Sequence, residues 1–269
     1  MAGEMSNAGH RGAGGTASGS APGSFRSPLS CAPSGRARGD EVGAPASASA
    51  GLEAERRLVQ RVFAHWHEFI REACHFSSVP PEFLGALTAG ESGGNAATVR
   101  FEPAVYAHLR ALAAGQSAHY GGISGRLLCQ ELGKTLELEG SRFEEGFLNS
   151  LFRAGETSEL ARRADEAVRR LASSWGLTQI MGLHLIGRQG SVPDLLEARF
   201  HYHLADQLLA EFAASYQLDL GREFAEMFRC WNTGTPVGRT SDPAYVTDGL
   251  MRMEIYRSLM APAEAQKNN

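Results

Sequence analysis

From Leu52 onward the large apolar side chains recur at three- and four-residue steps, a spacing that commits most of the chain to amphipathic helices. Val59, Val62, Phe63, Trp66, Phe69, Ile70 and Ala73 make the first such stripe. Ser77, Ser78 and the pair Pro80-Pro81 stop that helix and start another, because proline suits a first helical turn and not an interior one. The second helix is expected from about 81 to 91, with Phe83, Leu84 and Leu87 inward and Gly93-Gly94 ending it. Further helices are expected at about 103–113, 125–138, 142–152, 157–172, 193–216, 221–231 and 243–259. Residues 99–101 and 120–123 could be short extended pieces, but no segment alternates for long and no repeat recurs at a fixed period. The expected fold is mainly α, in one domain.

Residues 1–51 are dominated by Gly, Ala, Ser and Pro, too poor in large apolar groups to offset their ordering entropy, so a disordered tail is expected there. The domain is placed at 52–262, followed by a short disordered tail at 263–269. A formal net charge of −4 argues against a nucleic-acid partner. Arg162, Arg163, Arg169 and Arg170 are spaced for the wet face of a helix. Cys31, Cys74, Cys129 and Cys230 form no C-x-x-C pair, so buried free thiols are expected and a metal site is not. His65, His67, His201 and His203 pair at a two-residue step, which sends the members of each pair to different helix faces. No apolar run reaches membrane-spanning length, and the N-terminus lacks the apolar core of a secretory signal.

Three segments place polar or glycine residues where a helix would otherwise simply end. In Gly90-Glu91-Ser92-Gly93-Gly94 the carboxylate closes an apolar helix, where the macrodipole disfavours negative charge. Apolar neighbours would raise its pKa further and keep it protonated near neutrality, as glycosidic cleavage requires. In Ser174-Trp175-Gly176-Leu177-Thr178-Gln179-Ile180-Met181-Gly182, small residues allow close backbone approach, Gln179 offers a donor and an acceptor, and Trp175 could stack on a sugar. A tight helix entry with a buried Trp is the plainer reading. In the third, Asn232 in Trp231-Asn232-Thr233-Gly234 could be only a helix C-cap, and Tyr245 only core.

Together these segments resemble the lysozyme-like fold of the soluble-type lytic transglycosylases, across about residues 55–257. That family carries a catalytic Glu-Ser pair, a Gly-Leu-x-Gln segment, an aromatic-Asn-x-Gly segment and a Tyr on a last helix. Here these are Glu91-Ser92, Gly176-Leu177-Thr178-Gln179, Trp231-Asn232-Thr233-Gly234 and Tyr245. Two features depart from the pattern. Roughly ninety positions separate the Glu-Ser pair from the Gly-Leu-x-Gln segment, far more than a loop needs. This helical insertion, placed at 92–172, carries Arg100-Phe101-Glu102-Pro103-Ala104-Val105-Tyr106 and is similar to the phage-type N-acetylmuramidases of the same superfamily. Trp231 also stands where transglycosylases usually have a tyrosine, and an indole cannot accept a hydrogen bond, which leaves Tyr245 to support the acid.

The resemblance implies cleavage of the β-1,4 bond between N-acetylmuramic acid and N-acetylglucosamine in peptidoglycan, with Glu91 as general acid and base. Ser92, Gly176, Gln179, Trp175, Trp231, Asn232, Tyr245 and Glu102 are the expected supporting or substrate-binding residues. Glu102 could instead pair structurally with Arg100. The product is a 1,6-anhydro end in a transglycosylase and a reducing end in a muramidase; a non-catalytic glycan-binding scaffold is the third reading. No cofactor or metal is implied. Peptidoglycan strands are the expected partner, a monomer the expected state, and the periplasm or cell envelope the compartment that the substrate implies.

Overall fold

The computed structural model describes residues 45–138, 144–153 and 156–265. They are mainly helical. In chain order the elements are α1 (Pro45–Ala73), α2 (Pro81–Glu91), β1 (Val99–Phe101), α3 (Pro103–Ala113), β2 (His119–Tyr120), β3 (Ile123–Ser124) and α4 (Gly125–Thr135). Then follow α5 (Glu145–Phe152), α6 (Glu159–Leu171), β4 (Ser173–Trp175), β5 (Ile180–Met181), two 3-10 turns at Gly182–Leu185 and Val192–Leu196, α7 (Ala198–Tyr216), α8 (Phe224–Thr233) and α9 (Tyr245–Ala265).

Prolines set the sharpest boundaries. Pro81 and Pro103 each occupy the first turn of a helix, and both helices coincide with their expected spans. Ser158 caps α6 by accepting the Ala161 N–H at 3.2 Å. Other boundaries differ from the expected spans. Helix α1 begins at Pro45, ahead of the expected domain start at 52; a proline followed by alternating alanines is a competent helix start. At the other end α9 runs to Ala265, past the expected domain limit. The helix expected over 193–216 is two pieces, because Glu197 adopts extended backbone between the 3-10 turn and α7. The expected start of α5, at 142, lies outside the described residues, as do Cys31 and most of the tail.

Two hydrophobic clusters organise the chain. One lies among α1, α2, α7, α8 and α9 and contains Val59, Ile70, Phe83, Leu84, Leu87, Tyr202, Phe228 and Tyr256. Helix α2 runs through its middle, with every residue from Glu82 to Ala89 buried. Each of its large apolar side chains contributes roughly 1.5–3 kcal/mol by leaving water. Helix α9 comes so close that a Cβ on Gly85 would lie 2.1 Å from the Tyr256 ring, so this contact requires glycine. The second cluster, with Leu109, Leu112, Leu128, Leu132, Leu148 and Val168, belongs mostly to α3–α6. The long insertion therefore buries apolar surface of its own.

A three-stranded antiparallel sheet in the order β1-β4-β5 joins the two clusters. Val99 pairs with Trp175, Arg100 with Ser174 and Phe101 with Ser173, while Glu102 N donates to Ala172 O at 2.9 Å. The segment that leaves at β1 thus returns beside itself at β4. This closure explains how a large helical insert can separate two motifs in sequence while leaving them neighbours in space. Cys74, Cys129 and Cys230 are buried, and among the described residues none is in a disulfide. Among the described residues no helix is long and apolar enough to cross a membrane.

Candidate active site

Glu91 is the last residue of α2 and part of its surface faces a cleft. The cleft is small and is lined by Glu91, Gln179, Ile180, Met181, His184, Leu208, Phe212, Cys230, Trp231 and Gly234. The Tyr245 hydroxyl, on the first residue of α9, donates to Glu91 Oε1 at 2.5 Å. Tyr245 is itself 8% exposed, and its ring meets Phe228 edge-on, which fixes where the hydroxyl points. The resemblance implied that Tyr245 stands near Glu91, and the two side chains meet here.

Burial pushes the Glu91 carboxyl up to about 7, against the opposing pull of the Tyr245 hydrogen bond and the charges of Arg100 and Arg252. Although the residue is open to the cleft on one side, its carboxyl is otherwise enclosed by protein, and desolvation outweighs those opposing effects. Each nearby cation has a carboxylate of its own. Arg100 Nε lies 2.6 Å from Glu102 Oε1, and Arg252 Nε lies 2.7 Å from Glu55 Oε2. Their pull on Glu91 is correspondingly blunted. The negative end of the α2 dipole acts in the same direction as burial.

The Gly-Leu-x-Gln segment is the turn of the β4-β5 hairpin, not a helix entry. Gly176 has φ +72°, and a Cβ there would lie 2.5 Å from Leu195 O and 2.7 Å from His201 Nδ1. Gln179, also at positive φ (58°), spends its whole amide inside the turn. Its Nε2 donates to Gly176 O at 2.9 Å and Thr98 O at 3.2 Å, while its Oε1 accepts from Ser174 Oγ at 2.9 Å. The Gln179 side chain touches the cleft but holds the turn together; it is not free to hold a substrate amide. His201 completes the turn from α7. Its Nε2 accepts the Thr178 N–H at 2.9 Å and its Nδ1 contacts Leu195 O at 2.8 Å, so the ring N–H sits on Nδ1. Burial lowers its pKa to about 4.

Two side chains tie this turn to the acid. Ser92 Oγ donates to Leu177 O at 2.7 Å, locking the exit of α2 onto the hairpin. Trp231 Nε1 donates to Thr178 O at 3.0 Å, so the indole braces the turn and lines the cleft. Segments 85 residues apart, Glu91-Ser92 and Gly176-Gln179, are thereby brought together.

Three expected site residues lie elsewhere. Trp175 sits opposite Val99 on the sheet, one pleat away from Ser174, and lines a separate groove with Val99, Phe101, Pro193 and Leu196; its Nε1 donates to Arg170 O at 2.9 Å. Asn232 is buried on α8, at 1% exposed, and does not line the cleft. Glu102 is the N-terminal flank of α3 and is held by Arg100. The sequence reading passed over His184, on the 3-10 turn directly after β5, which lines the same cleft as Glu91. Its only sequence signal is a lone imidazole in the apolar run Met181-Gly182-Leu183-His184-Leu185-Ile186. Among the described residues no three His, Cys, Asp or Glu side chains gather as metal ligands.

No protein-family model, curated protein or solved structure matches this chain.

Proposed function

We propose that this protein cleaves peptidoglycan glycan strands as a member of the lysozyme-like superfamily, with Glu91 as its general acid and base. The observation that carries the reading is a carboxyl at a helix C-terminus, held by Tyr245 at 2.5 Å and raised to about 7, facing a cleft beside a hairpin turn. A carboxyl in that range is protonated often enough to donate, and ionised often enough to accept, near neutral pH. Protonated Glu91 gives its proton to the bridging oxygen as the bond from the muramyl C1 breaks. The resulting carboxylate then takes the proton of the muramyl 6-hydroxyl as that oxygen closes on C1, leaving a 1,6-anhydro end and a free 4-hydroxyl.

The cleft favours this outcome over two-carboxylate hydrolysis. Glu91 is the one acid among the lining residues, and Glu102 is engaged by Arg100 at 2.6 Å. One acid acting twice, with an intramolecular hydroxyl as nucleophile, needs no second carboxylate. A hydrolytic muramidase is the alternative; it would use the same acid with water as nucleophile. The reading is tested by digesting purified sacculi with the native protein and with Glu91→Gln. Release of soluble muropeptides should fall by at least a hundredfold in the variant; release at the native rate removes Glu91 from the chemistry.

A further inference from the structure

Two cations act on the Glu91 carboxyl, and they differ in what they have left to give. Arg252, on α9, gives two nitrogens to Glu55 of α1, Nε at 2.7 Å and Nη2 at 3.1 Å, and has Asp248 at 4.0 Å as well. Arg100, on β1, gives its Nε to Glu102 Oε1 at 2.6 Å, and its Nη2 is buried with no hydrogen bond to any described residue. The pleat sets its direction. Val99, Phe101 and Trp175 line the groove on one face of the sheet, so Arg100 and its cross-strand neighbour Ser174 occupy the other. On that face Ser174 Oγ donates to Gln179 Oε1, and Gln179 lines the cleft with Glu91. A charged donor left unsatisfied in a protein interior is unfavourable, so the free Nη2 calls for a partner that the resting site does not supply.

We infer that Arg100 is a positioning residue for the acid: its free Nη2 is the donor that meets the Glu91 carboxylate once the proton has left, and Glu102 restrains the guanidinium while Glu91 is neutral. The inference rests on Glu91 acting as the proton donor. When the proton passes from Glu91 to the bridging oxygen, a negative charge appears on a carboxyl that is enclosed by protein. Tyr245 stabilises one of its oxygens, and Arg100 supplies a charge-assisted hydrogen bond that a neutral carboxyl draws far less strongly. The charge disappears when the carboxylate takes the 6-hydroxyl proton, and Arg100 is again left with Glu102 alone. A restrained cation leaves Glu91 protonated at rest, whereas an unpaired one would favour the ionised form. The remaining charged or titratable neighbours do not change partners in this way. Arg252 is held by Glu55 and Asp248, and His184 on the cleft wall, lowered to about 4 by burial, is neutral near pH 7.

The test follows Glu91 itself, by carbon-13 NMR titration of its side-chain carboxyl, assigned by its loss in Glu91→Gln, beside the pH–rate profile of muropeptide release. Arg100→Met keeps an unbranched side chain and removes the charge. Glu91 should then titrate at higher pH, the alkaline limb of the profile should follow it, and the maximal rate should fall about tenfold. Glu102→Gln frees the guanidinium, so Glu91 should titrate about one pH unit lower and the alkaline limb should move down with it. The double variant should match Arg100→Met, because Glu102 acts through Arg100. A merely structural pair would lower stability and rate without these opposite displacements. A Glu91 titration that stays put in both single variants, or moves the same way in both, overturns the inference. If Arg100→Met does not fold, Glu102→Gln decides alone, and an unmoved titration there overturns it. Those results leave the Glu91 reading intact if Glu91→Gln still abolishes muropeptide release. Release at the native rate from Glu91→Gln brings both down.

Discussion

Replacing Glu91 by Gln should make the protein more stable in mild alkali, by an amount that the structure fixes. The carboxyl titrates at 4.5 in an unfolded chain and at about 7 in the folded one, with burial as the main cause. Between those values the native state holds a proton that the unfolded state has released, so stability falls as pH rises through this window. At about 1.4 kcal/mol for each pH unit, the native protein gives up about 3 kcal/mol once Glu91 is ionised. Glutamine has nearly the same shape, keeps an oxygen to accept the Tyr245 hydroxyl, and never ionises. Urea unfolding of both proteins at pH 4 and pH 8.5 isolates the effect, because groups other than Glu91 cancel in the difference. Relative to the native protein, Glu91→Gln should gain about 3 kcal/mol between the two pH values. An unchanged difference would mean that the carboxyl is solvated, and the argument for a retained proton would fail.

Other consequences follow from the same geometry. Tyr245→Phe removes the hydroxyl that lowers Glu91, so the alkaline limb of the pH–rate profile should move to higher pH while the maximal rate drops about tenfold or more. Gly176→Ala places a methyl against Leu195 O and His201 at positive φ, and should cost roughly 1–3 kcal/mol or more in thermal unfolding. His201→Leu strips the Thr178 N–H of its acceptor inside the core and should cost about 1–3 kcal/mol in denaturant titration, with lost sacculus cleavage as the hairpin loosens. In the native protein His201 is buried neutral, with a folded pKa near 4 against 6.5 unfolded. The unfolded chain binds the extra proton between those values, so this residue should remove about 3 kcal/mol of stability as pH falls through 6.5 toward 4. The His201→Leu protein should lack that component of its acid transition.

The helices were legible where punctuation and periodicity agreed. Pro81 and Pro103 begin α2 and α3, and the apolar stripe from Val59 to Ala73 lies on α1. Glu91 stood out as an acid closing an apolar helix, and the resemblance to the transglycosylases singled out Tyr245 as its expected support. The β4-β5 hairpin was hidden because strands of three and two residues are too short to show alternation. That gap misdirected the reading of its residues. Trp175 looked like a stacking platform for the reacting sugar, yet the pleat turns it to the face opposite Ser174. Gln179 looked like a ligand, yet a positive φ and three internal hydrogen bonds make it the clasp of the turn. The paired histidines drew notice by their spacing, whereas the lone His184 became significant only when the 3-10 turn set it beside Glu91 in the cleft. Closure of the insertion through β1 and β4 depends on contacts between positions 99–101 and 173–175, which local patterns do not encode.

The most direct measurement is the mass of the glycan ends produced from purified sacculi. Soluble muropeptides ending in 1,6-anhydro-N-acetylmuramic acid, one water lighter than reducing ends and missing from digests with Glu91→Gln, are the predicted result. Intact sacculi after incubation with the native protein, or the same products at the same rate from Glu91→Gln, would contradict it.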